Sequence, residues 1–189
     1  MSLKELSNNL QIEDEFHTFT KKERVIRRPL SLHHLHKDMV DIIRSHRHEE
    51  EKKSNVKAYM TNYFLHKKYE MIDIVCNEAI DIIKSIQVKD QKGTLDKFFT
   101  FDCWGAIYQE NDYTLPHTHG PALWSWVYYI EVPNNAPPLY FDEAKFKVYP
   151  KPDEIILFPG HVTHEVPKAV AMTGERIVLA GNIYLDYRN

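Results

Sequence analysis

Cysteine is scarce in this 189-residue chain, which has only Cys76 and Cys103. Two thiols so far apart in sequence make neither a disulfide framework nor an expected thiolate zinc site, and they point to a reducing, cytoplasmic setting. Cys76 falls in an apolar helical pattern and reads as a small buried hydrophobe, while Cys103 adjoins Trp104 in a strand-like run. A sustained basic block is missing as well. The formal net charge is -3, and the run Lys21, Lys22, Arg24, Arg27, Arg28 is broken by Glu23 and apolar residues. Nucleic acid is therefore not expected as the main partner, because phosphate binding depends on clustered Lys and Arg. No apolar stretch approaches membrane-spanning length, and the amino terminus lacks the apolar core of a signal peptide. No internal repeat or low-complexity segment is seen. What is present, 43% hydrophobic and 27% charged residues, suits one globular domain over 1–189.

The two halves differ in pattern. Residues 1–95 read as a mostly helical support. Ile12 to Thr20 alternates well enough for a strand, and Ser31 can cap a helix whose apolar positions Leu32, Leu35, Met39, Ile42 and Ile43 recur at helical spacing. Arg44 to Asn55 is dense in charge and reads as a helix end and loop. From Tyr69 to Ile86, the positions Ile72, Val75, Cys76, Ala79, Ile80 and Ile83 give a second, longer helix one apolar face. Residues 96–189 switch to short strands: Lys97 to Tyr108, Ala122 to Val132, Leu139 to Phe141, Lys145 to Tyr149, Glu154 to Phe158 and Arg176 to Tyr187. Turn chemistry such as Asn111-Asp112, Pro133-Asn134-Asn135 and Pro159-Gly160 separates them. Closely spaced strands of this kind predict a sandwich or jelly roll.

Eleven histidines are present, so most must lack a metal role. His33, His34, His36, His46 and His48 sit beside charged residues on predicted helices, where a His-x-His spacing sends the two rings to different sides. His117 and His119 follow Pro116 and lead into the aromatic run Trp124 to Ile130. In an extended segment, residues two apart share a face, so two imidazoles can meet one ion. His164 follows the apolar run Glu154 to Phe158 and the Pro159-Gly160 turn, which would hold it firmly. Three neutral imidazoles suit iron, zinc or copper, and positions left open opposite them admit substrate and oxygen.

At these residues the chain resembles the iron(II)- and 2-oxoglutarate-dependent oxygenase superfamily, particularly its small bacterial and phage members. The resemblance runs from about Phe101 to Tyr184. It rests on Trp104-Gly105-Ala106-Ile107-Tyr108 before an Asn-Asp turn, His117-Thr118-His119, Ser125-Trp126-Val127-Tyr128-Tyr129-Ile130, Leu157-Phe158-Pro159 with His164 beyond it, and Arg176 with Asn182 six residues on. It implies a mainly β, α+β fold, a double-stranded β-helix (jelly roll) braced by N-terminal helices. It also implies iron(II) held by His117 and His164, 2-oxoglutarate anchored by Arg176, and a dioxygenase yielding succinate and carbon dioxide beside its oxidised product. A guanidinium suits the anchor role because it takes a carboxylate through two parallel hydrogen bonds while staying charged. Tyr108 and Asn182 are the further candidates for co-substrate contacts.

The chain departs from the superfamily at His119, where a carboxylate is usual. Direct binding by His119 is the favoured reading, and Glu110, Asp112 or Asp142 are the carboxylates that could fill the position from elsewhere. His161 is the other candidate distal ligand, but the spacing from Pro159 selects His164. Trp126 stands where relatives tend to have a small residue, which would narrow the pocket. Two rivals stay open: a cupin-like three-histidine dioxygenase or isomerase without 2-oxoglutarate, and a noncatalytic jelly-roll binding module. The first has no use for Arg176, and the chain lacks the Glu that a cupin motif would carry shortly after His119. The substrate, a small molecule or a peptide side chain among others, would be selected by loops and the helical half.

Overall fold

The computed structural model describes residues 23–46, 54–87 and 97–186, so the strand expected at Ile12 to Thr20 and much of the loop expected from Arg44 to Asn55 lie outside it. The described elements are β1 (Ile26–Pro29), α1 (His36–Ser45), β2 (Val56–Lys57), β3 (Tyr59–Met60), α2 (Glu70–Gln87), β4 (Phe98–Tyr108) and β5 (Tyr113–His117). They continue with β6 (Trp124–Glu131), β7 (Leu139–Phe141), β8 (Phe146–Val148), β9 (Glu154–Pro159), β10 (His164–Val166) and β11 (Arg176–Leu185). A six-stranded sheet runs β1-β9-β6-β11-β4-β3 and a five-stranded one β2-β5-β10-β7-β8. The pairings between these strands are antiparallel. This is the mainly β, double-stranded β-helix architecture, with two helices behind the larger sheet. The described residues of the first half supply β1, β2 and β3 besides the two helices.

The larger sheet separates two cores by simple alternation, because successive strand residues point to opposite faces. Cys103, Ile107, Trp126, Tyr128, Ile155, Leu157, Ile177, Leu179 and Ile183 face the helices, where they meet Met39 and Ile43 of α1 and Ile72, Val75, Cys76, Ala79 and Ile83 of α2. Ala106, Tyr108, Tyr129, Ile156, Phe158 and Val178 face inward against Leu139, Phe141, Val148 and Val166 of the smaller sheet. Both helices thus spend their apolar stripes on one side of one sheet. Trp126 belongs to the helix-side core and does not narrow the inner cavity; its indole fills the space over Gly181.

The start of α1 also differs from expectation. Ser31 has a left-handed φ of 59° and gives no side-chain cap. Instead the Leu32 N–H donates to Asp153 Oδ1 at 2.8 Å, and the same oxygen accepts the Tyr128 phenol at 2.6 Å. The turn before β9, not a local serine, holds the segment that leads into α1.

Close approach at Gly181 gives a test of this packing. A Cβ there would stand 2.6 Å from Trp126 Cζ2 and 2.8 Å from the Asp102 carbonyl oxygen, and the latter is backbone that cannot swing aside. Gly181→Ala is expected to destabilise the fold by about 1–3 kcal/mol through overpacking. Urea unfolding followed by tryptophan fluorescence checks this, and an unchanged midpoint would contradict the packing described.

Candidate metal centre

His117 ends β5 and His164 begins β10, and the antiparallel register sets the two directly opposite. Between them, His119 lies just past β5 and is pinned by its own backbone: its N–H donates to Gly160 O at 2.7 Å and its carbonyl accepts Ala122 N–H at 2.8 Å. The close passage of Gly160 makes this possible, since a Cβ there would meet Ala122 O at 2.3 Å. The ring centroids lie 4.3 Å (His117 to His164), 4.8 Å (His117 to His119) and 5.0 Å (His119 to His164) apart. One nitrogen from each ring falls within 4.8 Å of the others, the spacing of a three-ligand metal group.

Hydrogen bonds fix which nitrogen is available. His117 Nδ1 lies 2.8 Å from Leu115 O, and His164 Nδ1 lies 3.1 Å from Val162 O. A carbonyl only accepts, so each Nδ1 carries the hydrogen and each Nε2 keeps a free lone pair, the arrangement a metal requires. Burial also keeps the rings neutral. Desolvation, with smaller repulsion from His117 and His119, lowers the His164 pKa from 6.5 to about 3. Desolvation followed by repulsion from His117 lowers His119 to about 4, and desolvation lowers His117 as well. Phe158 packs against the His164 ring at 4.4 Å, and Trp104 lies 6.0 Å from His119.

None of the three carboxylates considered from sequence joins this group. Glu110 accepts the Ala171 N–H, Asp112 accepts the Gln109 N–H, and Asp142 is bridged to Lys145 at 2.7 Å. The acid that does line the cleft beside His117 and His119 is Asp102, in the company of Tyr63, Trp104 and Asn182. Asn182 Nδ2 donates to Asp102 at 2.9 Å, and Ser125 Oγ donates to Asn182 Oδ1 at 2.8 Å. Burial raises the Asp102 pKa despite the Asn182 hydrogen bond. Sequence reading passed over Asp102, although strand alternation from Tyr108 back through Ala106 and Trp104 puts it on the inner face.

Arg176 is 1% exposed and sits opposite Tyr108 in the β11–β4 register. Its guanidinium carbon lies 5.0 Å from the Tyr108 ring centre and 5.1 Å from that of Tyr129. Its hydrogen bonds are long, 3.3 Å to the Tyr129 phenol and 3.4 Å to Pro137 O, and its Nε has no partner. No carboxylate forms an ion pair with it among the described residues. Tyr108 in turn shares a 2.7 Å hydrogen bond with Thr114 of β5, three residues before His117 and so about 10 Å from it along the strand. Arg176 and Tyr108 therefore stand together, whereas Asn182 lies about 20 Å along β11, with Asp102 in the cleft wall. Of the helical histidines, His36 is engaged by Tyr128 at 2.7 Å, and His48 lies outside the described residues.

No protein-family model and no curated protein matches the sequence. Solved structures do match the fold. A viral collagen prolyl hydroxylase from Paramecium bursaria Chlorella virus-1, in complex with 2-oxoglutarate, superposes with a TM-score of 0.66 at 16% identity, over 84% of this chain and 94% of that one. A prolyl-4-hydroxylase from Pseudomonas putida gives 0.62 at 16% identity, over 87% and 94%. HygX from Streptomyces hygroscopicus, with nickel, 2-oxoglutarate and hygromycin B bound, gives 0.61 at 8% identity, over 86% and 83%. The chain has the fold of the 2-oxoglutarate–iron(II) oxygenases. No helix among the described residues is long and apolar enough to cross a membrane.

The lowered histidine pKa values give a pH dependence. Unfolded imidazoles take up protons below about 6.5 while the folded ones stay neutral, so acid favours the unfolded state. The stability of the metal-free protein should be full above about 6.5 and fall as pH drops toward 4 and then 3. Urea titrations across that range in wild type and in His119→Asn and His164→Asn check this. The variants should show a shallower slope, and parallel slopes would contradict the stated burial of the rings.

Proposed function

We propose that this protein is an iron(II)- and 2-oxoglutarate-dependent oxygenase, with His117, His119 and His164 as the iron ligands and Arg176 as the anchor of the co-substrate's distal carboxylate. The observation that carries the reading is Arg176 itself. A guanidinium buried without a carboxylate is costly, and its Nε has no partner. An anionic ligand reaching it from the histidine end of the inner face would supply the missing charge and a bidentate contact. Tyr108 and Tyr129 hold the guanidinium between their rings, so it is already oriented for that contact.

The three imidazoles fit iron(II) in donor type and in convergence. Bound there with 2-oxoglutarate, the metal would supply oxygen activation coupled to loss of carbon dioxide. The chain's own residues do the rest. His117 and His164 present Nε2 in orientations set by Leu115 O and Val162 O, and their lowered pKa values mean that no proton needs displacing near neutrality. With His119 in place of a carboxylate, the site carries one more positive charge, which favours a dianionic 2-oxoacid. Phe158 shields the His164 ring from water. Asp102, oriented by Asn182, offers an acceptor to a substrate in the cleft. The three-histidine set by itself also suits a dioxygenase that uses no 2-oxoglutarate, and the unpaired Arg176 favours the co-substrate reading over that one.

Anaerobic titration with Fe(II) and then 2-oxoglutarate, followed through the metal-to-ligand charge-transfer band, tests this directly. His117→Ala and His164→Ala should each abolish stoichiometric iron binding with the circular dichroism unchanged. His119→Asp should keep iron and His119→Ala should weaken it. Equal affinity in His119→Ala and wild type would remove His119 from the ligand set.

Arg176→Ala should keep iron but lose a buried charge partner for the co-substrate, at about 2–5 kcal/mol, so 2-oxoglutarate affinity should fall roughly 30-fold or more. Arg176→Lys should recover only part of it, because an ammonium lacks the planar fork. Unchanged affinity in Arg176→Ala would refute the anchor. No 2-oxoglutarate binding to iron-loaded wild type would refute the co-substrate.

A further inference from the structure

Behind the larger sheet, on the face away from the three histidines, a second group of metal-binding side chains converges. Cys76 lies on α2, Cys103 on β4, and His66 in the 3₁₀ turn Leu65–Lys67 that leads into α2. Their donor atoms lie within 4.8 Å of one another. Both thiols are free and almost wholly buried, at 1% and 0% exposure. His66 is partly buried, yet its Nδ1 is shut off from solvent and has no hydrogen-bond partner. An orphaned buried imidazole nitrogen is unusual, since such groups are normally satisfied.

We infer that His66, Cys76 and Cys103 form a zinc site distinct from the three-histidine centre. Two thiolates and an imidazole are donors that borderline-soft zinc takes, with water in the fourth tetrahedral position, and the two thiolate charges balance the dication. Bond lengths of about 2.3 Å to sulfur and 2.0 Å to nitrogen place neighbouring donors roughly 3.5–3.8 Å apart. The present spacing of up to 4.8 Å needs a contraction of about 1 Å, within reach of small side-chain rotations. Zinc would displace both thiol protons and give the orphaned His66 nitrogen its missing partner. A disulfide between the same cysteines would need an oxidant and would leave that nitrogen unsatisfied.

The site would clip three elements together next to the cleft. Tyr63, three residues before His66, accepts the Cys103 N–H at 2.8 Å through its carbonyl, and its ring packs edge-on to Trp104 at 5.2 Å. Tyr63 and Trp104 both line the cleft that holds His117 and His119. Zinc behind the sheet would therefore hold the cleft wall in front of it.

Cobalt(II) is the direct probe, because a thiolate ligand gives it an intense near-ultraviolet charge-transfer band that imidazoles cannot give. The chain has only these two cysteines, so the band can arise from no other site. Reduced, metal-free, full-length wild type titrated anaerobically with cobalt should develop the band, which should saturate at one equivalent per chain once the three-histidine centre is disabled, and zinc should then bleach it. The band should persist in His117→Ala, which disables only the other centre. Cys76→Ser should remove it, and Cys76→Ser added to His117→Ala should lower the zinc content of the purified protein by one per chain relative to His117→Ala alone. A folded wild-type protein that takes up cobalt without the thiolate band would overturn the site, as would a band that zinc fails to displace.

Discussion

Everything in this molecule hangs on one wall, the larger sheet, whose residues are sorted by strand alternation into two environments. Along β4 the order Asp102, Cys103, Trp104 runs cleft, helix core, cleft. Along β11, Ile177, Leu179 and Ile183 meet the helices while Arg176, Val178 and Asn182 face inward. A one-residue slip in β11 would drive Arg176 into an aliphatic core and expose Ile177 and Ile183 to the inner cavity. Burial on both faces makes such a slip prohibitively unfavourable. The same constraint explains why the polar residues of the inner face are few and placed at two stations along the strands.

The two stations differ in how their charge is managed. At one, three neutral imidazoles crowd together, tolerated because burial suppresses their protonation. At the other, a permanent cation lies between two aromatic faces. Aromatic quadrupoles compensate a guanidinium only in part. On the proposed function, the first station takes a cation and the second an anion. A metal chelate carrying a free carboxylate would complete both at once.

Much of this was legible in the sequence where the signal is local. The strand Leu139 to Phe141 was read to the residue, and the apolar spacing of Ile72, Val75, Cys76, Ala79 and Ile83 marked α2. His117, His119 and His164 stood out because a His-x-His beside a proline and a histidine after a Pro-Gly turn are local patterns, and the structure brings all three rings together. What stayed hidden depends on contacts distant in sequence. β5 and β10 are short and are defined by pairing with each other, not by their own composition. Asp153 accepts the Leu32 N–H, ahead of α1, from 121 residues away. Trp126 turned out to face the helices, since its neighbour Gly181 is visible only once β6 and β11 are laid side by side. The cysteines, dismissed as too distant from each other, are made neighbours by the docking of α2 on β4.

The hydrogen bonds that aim His117 and His164 are both to carbonyls two residues upstream in the same strand segment. Each ring therefore takes a direction from its own backbone. The segments 115–117 and 162–164 form a self-contained bracket whose geometry travels with the strand pairing. Neighbouring side chains such as Trp104 and Phe158 then shape what surrounds the rings, while the backbone bracket sets where these two lone pairs point.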